Sequence, residues 1–153
     1  MPHDAAHILE VGGGYGNLCR IIHQQKYKGS YTIVDFPLMS SIQHNYLSHH
    51  DINQVIFSTL DVDKLTPPTH PSALIATFSV NEMPLASRAQ LEPLYLEFEH
   101  LLFAYNAKFD GISNRDYFQR LAEYLFPTFE IVNERDKHRS RDNWFMICER
   151  RAR

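Results

Sequence analysis

Chemistry concentrates first in Glu10-Val11-Gly12-Gly13-Gly14-Tyr15-Gly16. Glycines at 12, 14 and 16 let the chain take positive φ and let its backbone approach a ligand closely. The preceding run, His7 to Val11, is short and apolar and reads as a buried strand. The following stretch, Asn17 to Lys26, carries Leu18, Ile21 and Ile22 at helical spacing. A loop between such a strand and helix faces the free N–H groups of the helix N-terminus. Asp35 closes the next strand, where an acid accepts hydrogen bonds from both ribose hydroxyls of a nucleotide-like ligand. Glu10, Asp35, Asp61 and Ser79 all fall at predicted strand ends on one side, where open α/β sheets bind ligands.

The loop spacing is G-x-G-x-G, whereas dinucleotide sites use G-x-G-x-x-G with pyrophosphate on the helix dipole. Glu10 directly before the loop would repel a pyrophosphate. It suits a cofactor with a cationic amino-acid tail, and charge sign therefore favours S-adenosylmethionine over a dinucleotide. A dinucleotide-dependent oxidoreductase on a related sheet is the rival reading. A non-catalytic or truncated cofactor-binding module is the other.

The elements that must hold these residues follow from periodicity and turn chemistry. Strands are predicted over 7–11, 31–34, 54–58, 74–80, 101–105, 128–134 and 144–149, and helices over 17–26, 38–49 and 87–97. A further helix runs from an N-cap at Ser113 to about Leu125, with Pro127 beyond its end. Residues 61–71, with Pro67, Pro68 and Pro71, read as loop. Alternating strands and helices imply a mostly parallel sheet with helices on both faces, and the final strand pair implies an antiparallel hairpin at one edge.

These residues resemble the seven-stranded, Rossmann-like class I methyltransferase core. More narrowly, they resemble the sugar O-methyltransferase family of bacterial polysaccharide and antibiotic clusters. The likeness rests on residues 8–16; on Tyr31-Thr32-Ile33-Val34-Asp35-Phe36-Pro37 with Gln43, Tyr46 and Leu47; on Phe78-Ser79-Val80-Asn81-Glu82-Met83-Pro84 with Arg88; and on the closing strand from Asn143 to Arg150. The resemblance implies that Glu10, Gly12, Gly13 and Gly14 surround the methionine part of S-adenosylmethionine. It implies that Asp35 holds the ribose, Phe36 packs on the adenine, Leu60 and Asp61 meet the adenine edge, and Ser79 lies near the sulfonium. It also implies that residues 1–153 form one core domain. Family members carry N-terminal helices over the cofactor, so a core without that lid segment implies an open acceptor site or a fragment of a longer enzyme.

The acceptor implied is a sugar or glycan hydroxyl, a poor nucleophile that calls for a general base within hydrogen-bond reach. Glu82 follows the fourth strand, which faces the transferred methyl in this fold, and is the candidate base; the competing reading has it start a loop or cap the next helix. His49-His50-Asp51 reads as a solvated helix end, because adjacent helical residues point apart. His138 belongs to the loop between the last strands, and His100 precedes the fifth. Asp61 and Asp63 lack a third ligand, so no metal is expected.

Composition narrows the classes. The chain has 153 residues, 44% hydrophobic and 22% charged, as ordinary globular domains do. A net charge of −3 supplies no global field toward nucleic acid. The basic residues from Arg135 onward read as a solvated hairpin and terminus. Cys19 and Cys148 lack metal or redox spacing. No secretory leader and no membrane span is legible, and cytoplasmic location is the expectation. The aromatic residues of the second half read mainly as core. Any left exposed would favour self-association or stack on a sugar.

Overall fold

The computed structural model describes residues 5–59, 70–136 and 142–152. In chain order the elements are β1 (His7–Val11), α1 (Asn17–Gln24), β2 (Ser30–Val34), α2 (Pro37–Ser48), β3 (Val55–Ser58), β4 (Ser72–Thr77), α3 (Leu85–Tyr95), β5 (His100–Asn106), β6 (Lys108–Phe109), β7 (Ile112–Ser113), α4 (Asn114–Leu125), β8 (Phe129–Arg135) and β9 (Asn143–Arg150). A single 3₁₀ turn, Val80–Glu82, lies between β4 and α3. The main sheet has seven strands in the order β3-β2-β1-β4-β5-β9-β8. Strands β1 to β5 pair in parallel, and β9 runs antiparallel between β5 and β8.

Side-chain alternation along the strands feeds two cores. Leu9, Val11, Leu74, Ala76, Leu101 and Phe103 face one side, where α3 brings Leu91 and Tyr95 and α4 brings Phe118 and Leu121. Ile8, Tyr31, Ile33, Ala73 and Ile75 face the other, where α1 brings Cys19 and Ile22 and α2 brings Leu47. The order reverses between β1 and β4, so the helices after β1 and after β4 lie on opposite faces and a crevice opens between the carboxyl ends of those two strands.

Three differences from the expected elements have physical causes. Strand β4 stops at Thr77, short of Val80, because Phe78 takes φ 59° and turns the chain out of extended geometry. His100 is the first residue of β5, with Glu149 of β9 opposite it. The β6–β7 hairpin was not expected, although Asp110-Gly111 at its tip is a two-residue turn signal, with φ 45° and 80°.

Candidate cofactor and active site

Strand β1 carries Glu10 on the face toward α1 and α2, where it is 1% exposed. Its Oε2 accepts a hydrogen bond from the Tyr31 hydroxyl at 2.9 Å. Burial pushes the Glu10 carboxyl up to about 7; the Tyr31 bond opposes that rise and the negative charge of Asp35 adds to it.

The loop then turns over this carboxylate. Gly12 has φ 73°, its N–H donates to Val34 O at 2.8 Å, and a Cβ there would lie 2.3 Å from Ser79 Cβ. Ser79 Oγ in turn donates to the Val11 carbonyl, which ties the end of β1 to the residue two past β4. Gly13 has no room for a side chain: a Cβ would meet Ile33 at 2.7 Å, Gln43 Nε2 at 3.3 Å and Glu10 Oε2 at 3.4 Å. Gly14, at φ 54°, faces open space, with nothing within 4 Å of a Cβ built on it. Gly16 caps α1 at φ 99° without a side-chain bond, so the first helical N–H groups receive no side-chain acceptor.

Asp35 ends β2 opposite the loop. Its Oδ1 accepts from Phe36 N at 2.8 Å and its Oδ2 from Gln43 Nε2 at 2.8 Å. The same Gln43 nitrogen donates to Gly14 O at 2.9 Å, so one buried amide joins the loop to the acid. Gln43 Oε1 is buried with no partner among the described residues. Each Asp35 oxygen keeps acceptor capacity for further donors. Phe36 is 77% exposed at the start of α2, a bare aromatic face beside the acid.

Thus Glu10, Gly12, Gly13, Gly14, Asp35, Phe36 and Ser79 converge on one crevice. Leu60 and Asp61 lie outside the described residues, as do Asp63 and His138. Glu82 sits exposed on the 3₁₀ turn after β4. It is not a helix cap, because α3 begins at Leu85 behind Pro84 with no side-chain cap bond. His49, His50 and Asp51 form the turn after α2. Among the described residues no group of three or more His, Cys, Asp or Glu could hold a metal ion. Among them, too, no helix is long and apolar enough to cross a membrane.

Residue-type reasoning gave no role to Gln43, Tyr31 or Arg88. Gln43 lies eight residues past Asp35 on the first turns of α2, and its signals were that proximity to an acid at a strand end and its place in the family resemblance. Arg88 is fully buried, donating to Met83 O at 2.8 Å, to Asn81 O at 2.6 Å and to Asn114 Oδ1 at 2.8 Å, with its guanidinium 4.8 Å from the Tyr117 ring centre.

No protein-family model matches the chain, and no curated protein matches it by sequence. Solved structures do match. An O-methyltransferase family protein from Burkholderia thailandensis superposes with TM-score 0.76 at 10% identity, over 98% of this chain and 53% of that one. The methyltransferase domain of bacterial CtHen1 superposes with TM-score 0.72 at 11% identity, over 95% of this chain and 90% of that one. The N-methyltransferase NodS from Bradyrhizobium japonicum WM9, solved with S-adenosyl-L-homocysteine, gives 0.69 at 11%, over 95% and 78%. The fold is that of the S-adenosylmethionine-dependent methyltransferases. The chain spans about half the length of the Burkholderia protein and nearly all of the CtHen1 domain. In this methyltransferase fold the crevice above β1 and β4 is the switch point at which doubly wound sheets take their ligand.

Proposed function

We propose that the crevice binds S-adenosylmethionine and that the chain directs methyl transfer to a hydroxyl oxygen of a sugar or glycan. The observation that carries this reading is the Gln43 bridge between Gly14 O and Asp35 Oδ2, which fixes Asp35 across the glycine loop from Glu10, itself held beneath the loop by Tyr31. When bound, the cofactor supplies an electrophilic methyl group. Glu10 answers the ammonium end of its amino-acid tail. Asp35 accepts from the ribose hydroxyls, and the exposed Phe36 ring offers a face to the adenine. Leu60 and Asp61 are assigned to the adenine edge on the family resemblance alone. Ser79, tied to Val11 O, sets the floor between loop and acceptor side.

The chain's part in transfer is orientation and exclusion of water. Glu82, exposed at the mouth on the 3₁₀ turn, is assigned to take the proton from the acceptor hydroxyl. The sugar acceptor rests on the Asp35-Phe36-Pro37 and Asn81-Glu82-Met83-Pro84 stretches that resemble sugar O-methyltransferases.

Calorimetric titration with S-adenosylhomocysteine tests the cofactor site. The parent chain is expected to bind, and Asp35→Ala is expected to lose about 100-fold in affinity or more, the cost of stranding two ribose hydroxyls. Equal affinity in the variant, or a melting temperature raised by NAD and not by S-adenosylhomocysteine, defeats the assignment. Mass spectrometry of methyl transfer to a panel of nucleotide sugars and glycans tests the acceptor class.

A further inference from the structure

Beyond the cofactor crevice, a buried polar relay starts at Arg88. A guanidinium carries only donors, so the Arg88 bond to Asn114 fixes Oδ1 of that amide toward the arginine. The Asn114 amide nitrogen must then point the other way, and it donates to Asn106 Oδ1 at 3.2 Å. The Asn81 nitrogen donates to the same oxygen at 2.8 Å. Orientation of three side-chain amides is thereby dictated by one buried cation: flipping Asn114 or Asn106 would set donor against donor, and flipping Asn81 would set acceptor against acceptor.

The relay ends at two atoms that have no partner among the described residues. Asn81 is 1% exposed, and its Oδ1 is buried without a partner. Asn106 is only half-buried; its oxygen takes both relay bonds, and among the described residues its nitrogen has no acceptor and is not a buried atom. Both residues lie just where β4 and β5 end. Phe78 N donates to Ala104 O at 2.8 Å, so Asn106, two residues on, is close to level with Ser79 and the turn that carries Glu82. Arg88 also holds that turn directly, through the carbonyls of Asn81 and Met83. A surface polar pair would swap freely between amide orientations and rotamers. This one is locked, with a donor and an acceptor left over beside the candidate base.

We propose that Asn106 and Asn81 form the subsite for the acceptor's hydroxyl groups, with Arg88 as the positioning residue that sets the polarity of both amides. A hydroxyl is both donor and acceptor, so it matches a site that offers one of each. The subsite deepens the methyl-transfer reading and rests on it.

The test uses side-chain amide NMR on the full chain with methyl glucoside, methyl galactoside, methyl mannoside and methyl rhamnoside, each titrated with and without S-adenosylhomocysteine. Asn106 and Asn81 side-chain amide signals of the parent are expected to shift with at least one glycoside. Asn106→Asp keeps the oxygen that accepts from Asn81 and Asn114 but removes the outward donor. It should melt close to the parent, bind S-adenosylhomocysteine equally well, and bind the glycoside about tenfold more weakly. A parent whose two amides ignore all four glycosides in both conditions overturns the subsite, and so does an Asn106→Asp protein that binds glycoside like the parent. If glycosides shift the amides but S-adenosylhomocysteine does not bind, the subsite stands and the methyl-transfer reading falls.

Discussion

Glu10 is the residue at which burial and ligand chemistry meet. An isolated carboxyl titrates near 4.5, and burial moves this one to about 7. A raised folded-state value means that the contribution of Glu10 to stability is fully present below pH 4.5 and is lost as pH rises through 7. Glu10→Gln is therefore expected to flatten the fall in melting temperature between pH 5 and pH 8, read by scanning calorimetry. The sign reverses for a ligand with an ammonium tail, which needs the ionised form. Affinity for S-adenosylhomocysteine should rise by up to roughly tenfold per pH unit below 7 and level off above it, with proton release read from a binding enthalpy that varies with the buffer's ionisation enthalpy. A pH-independent affinity would separate Glu10 from the tail. The loop glycines divide by cause. In Gly12→Ala a Cβ would collide with Ser79 at positive φ, so a loss of about 2–4 kcal/mol is expected by denaturant titration. Gly14→Ala meets no protein atom, so it should cost only about 1–2 kcal/mol of backbone strain while still weakening cofactor binding.

At the level of elements, the N-termini of α4 and α1 are built differently. Helix α4 has a side-chain cap: Ser113 Oγ accepts from Asp116 N at 3.3 Å, and Asp116 adds negative charge in the first turn. Ser113→Ala is expected to lower stability by about 1 kcal/mol, measured by urea titration. Helix α1 instead begins at Gly16 with no side-chain cap, which leaves its terminal donors to face the crevice. Helix α4 starts with Asn114, a member of the Arg88 relay, whereas α1 starts at the glycine loop. Phe78 is the counterpart on the strand side. Its φ of 59° is a costly conformation for a bulky residue, and it ends β4 just where Ser79, Asn81 and Glu82 must leave the sheet.

Over the whole molecule, the two faces of the sheet are unequally covered. Helices α3 and α4 pack on β4, β5 and β9, where Phe103 meets Tyr95 and Phe118 at centroid distances of 5.1 and 5.6 Å. On the opposite face α1 and α2 cover β1, β2 and part of β4. There Val132, Phe145 and Ile147 are 50%, 37% and 51% exposed, and a groove of about 1270 Å³ passes Ile21, Leu102 and Ile147. That groove holds none of the converging site residues, so it and the chemistry lie apart. Stability should follow the cover. Phe103→Ala is expected to cost about 3–5 kcal/mol and Ile147→Ala under about 1 kcal/mol, compared by chemical denaturation.

Period and turn chemistry by themselves determined most of the architecture. Every strand and helix of the large sheet was legible within a few residues, because apolar spacing and the Gly, Pro and Ser113 signals act over short distances. The convergence of Glu10, the glycines, Asp35 and Ser79 was legible too, since in a parallel sheet all strand ends of one polarity lie on one side. Tertiary structure alone decided how those groups are held. Gln43 bonds across 29 residues to Gly14, and Arg88 reaches 26 residues to Asn114; no local rule registers such contacts. It likewise decided that Glu10 is buried, and so titrates near 7, and that Asn106 spends its oxygen on two amide donors. Periodicity records which face a residue occupies, whereas burial, amide orientation and proton affinity depend on what the rest of the chain brings to that face.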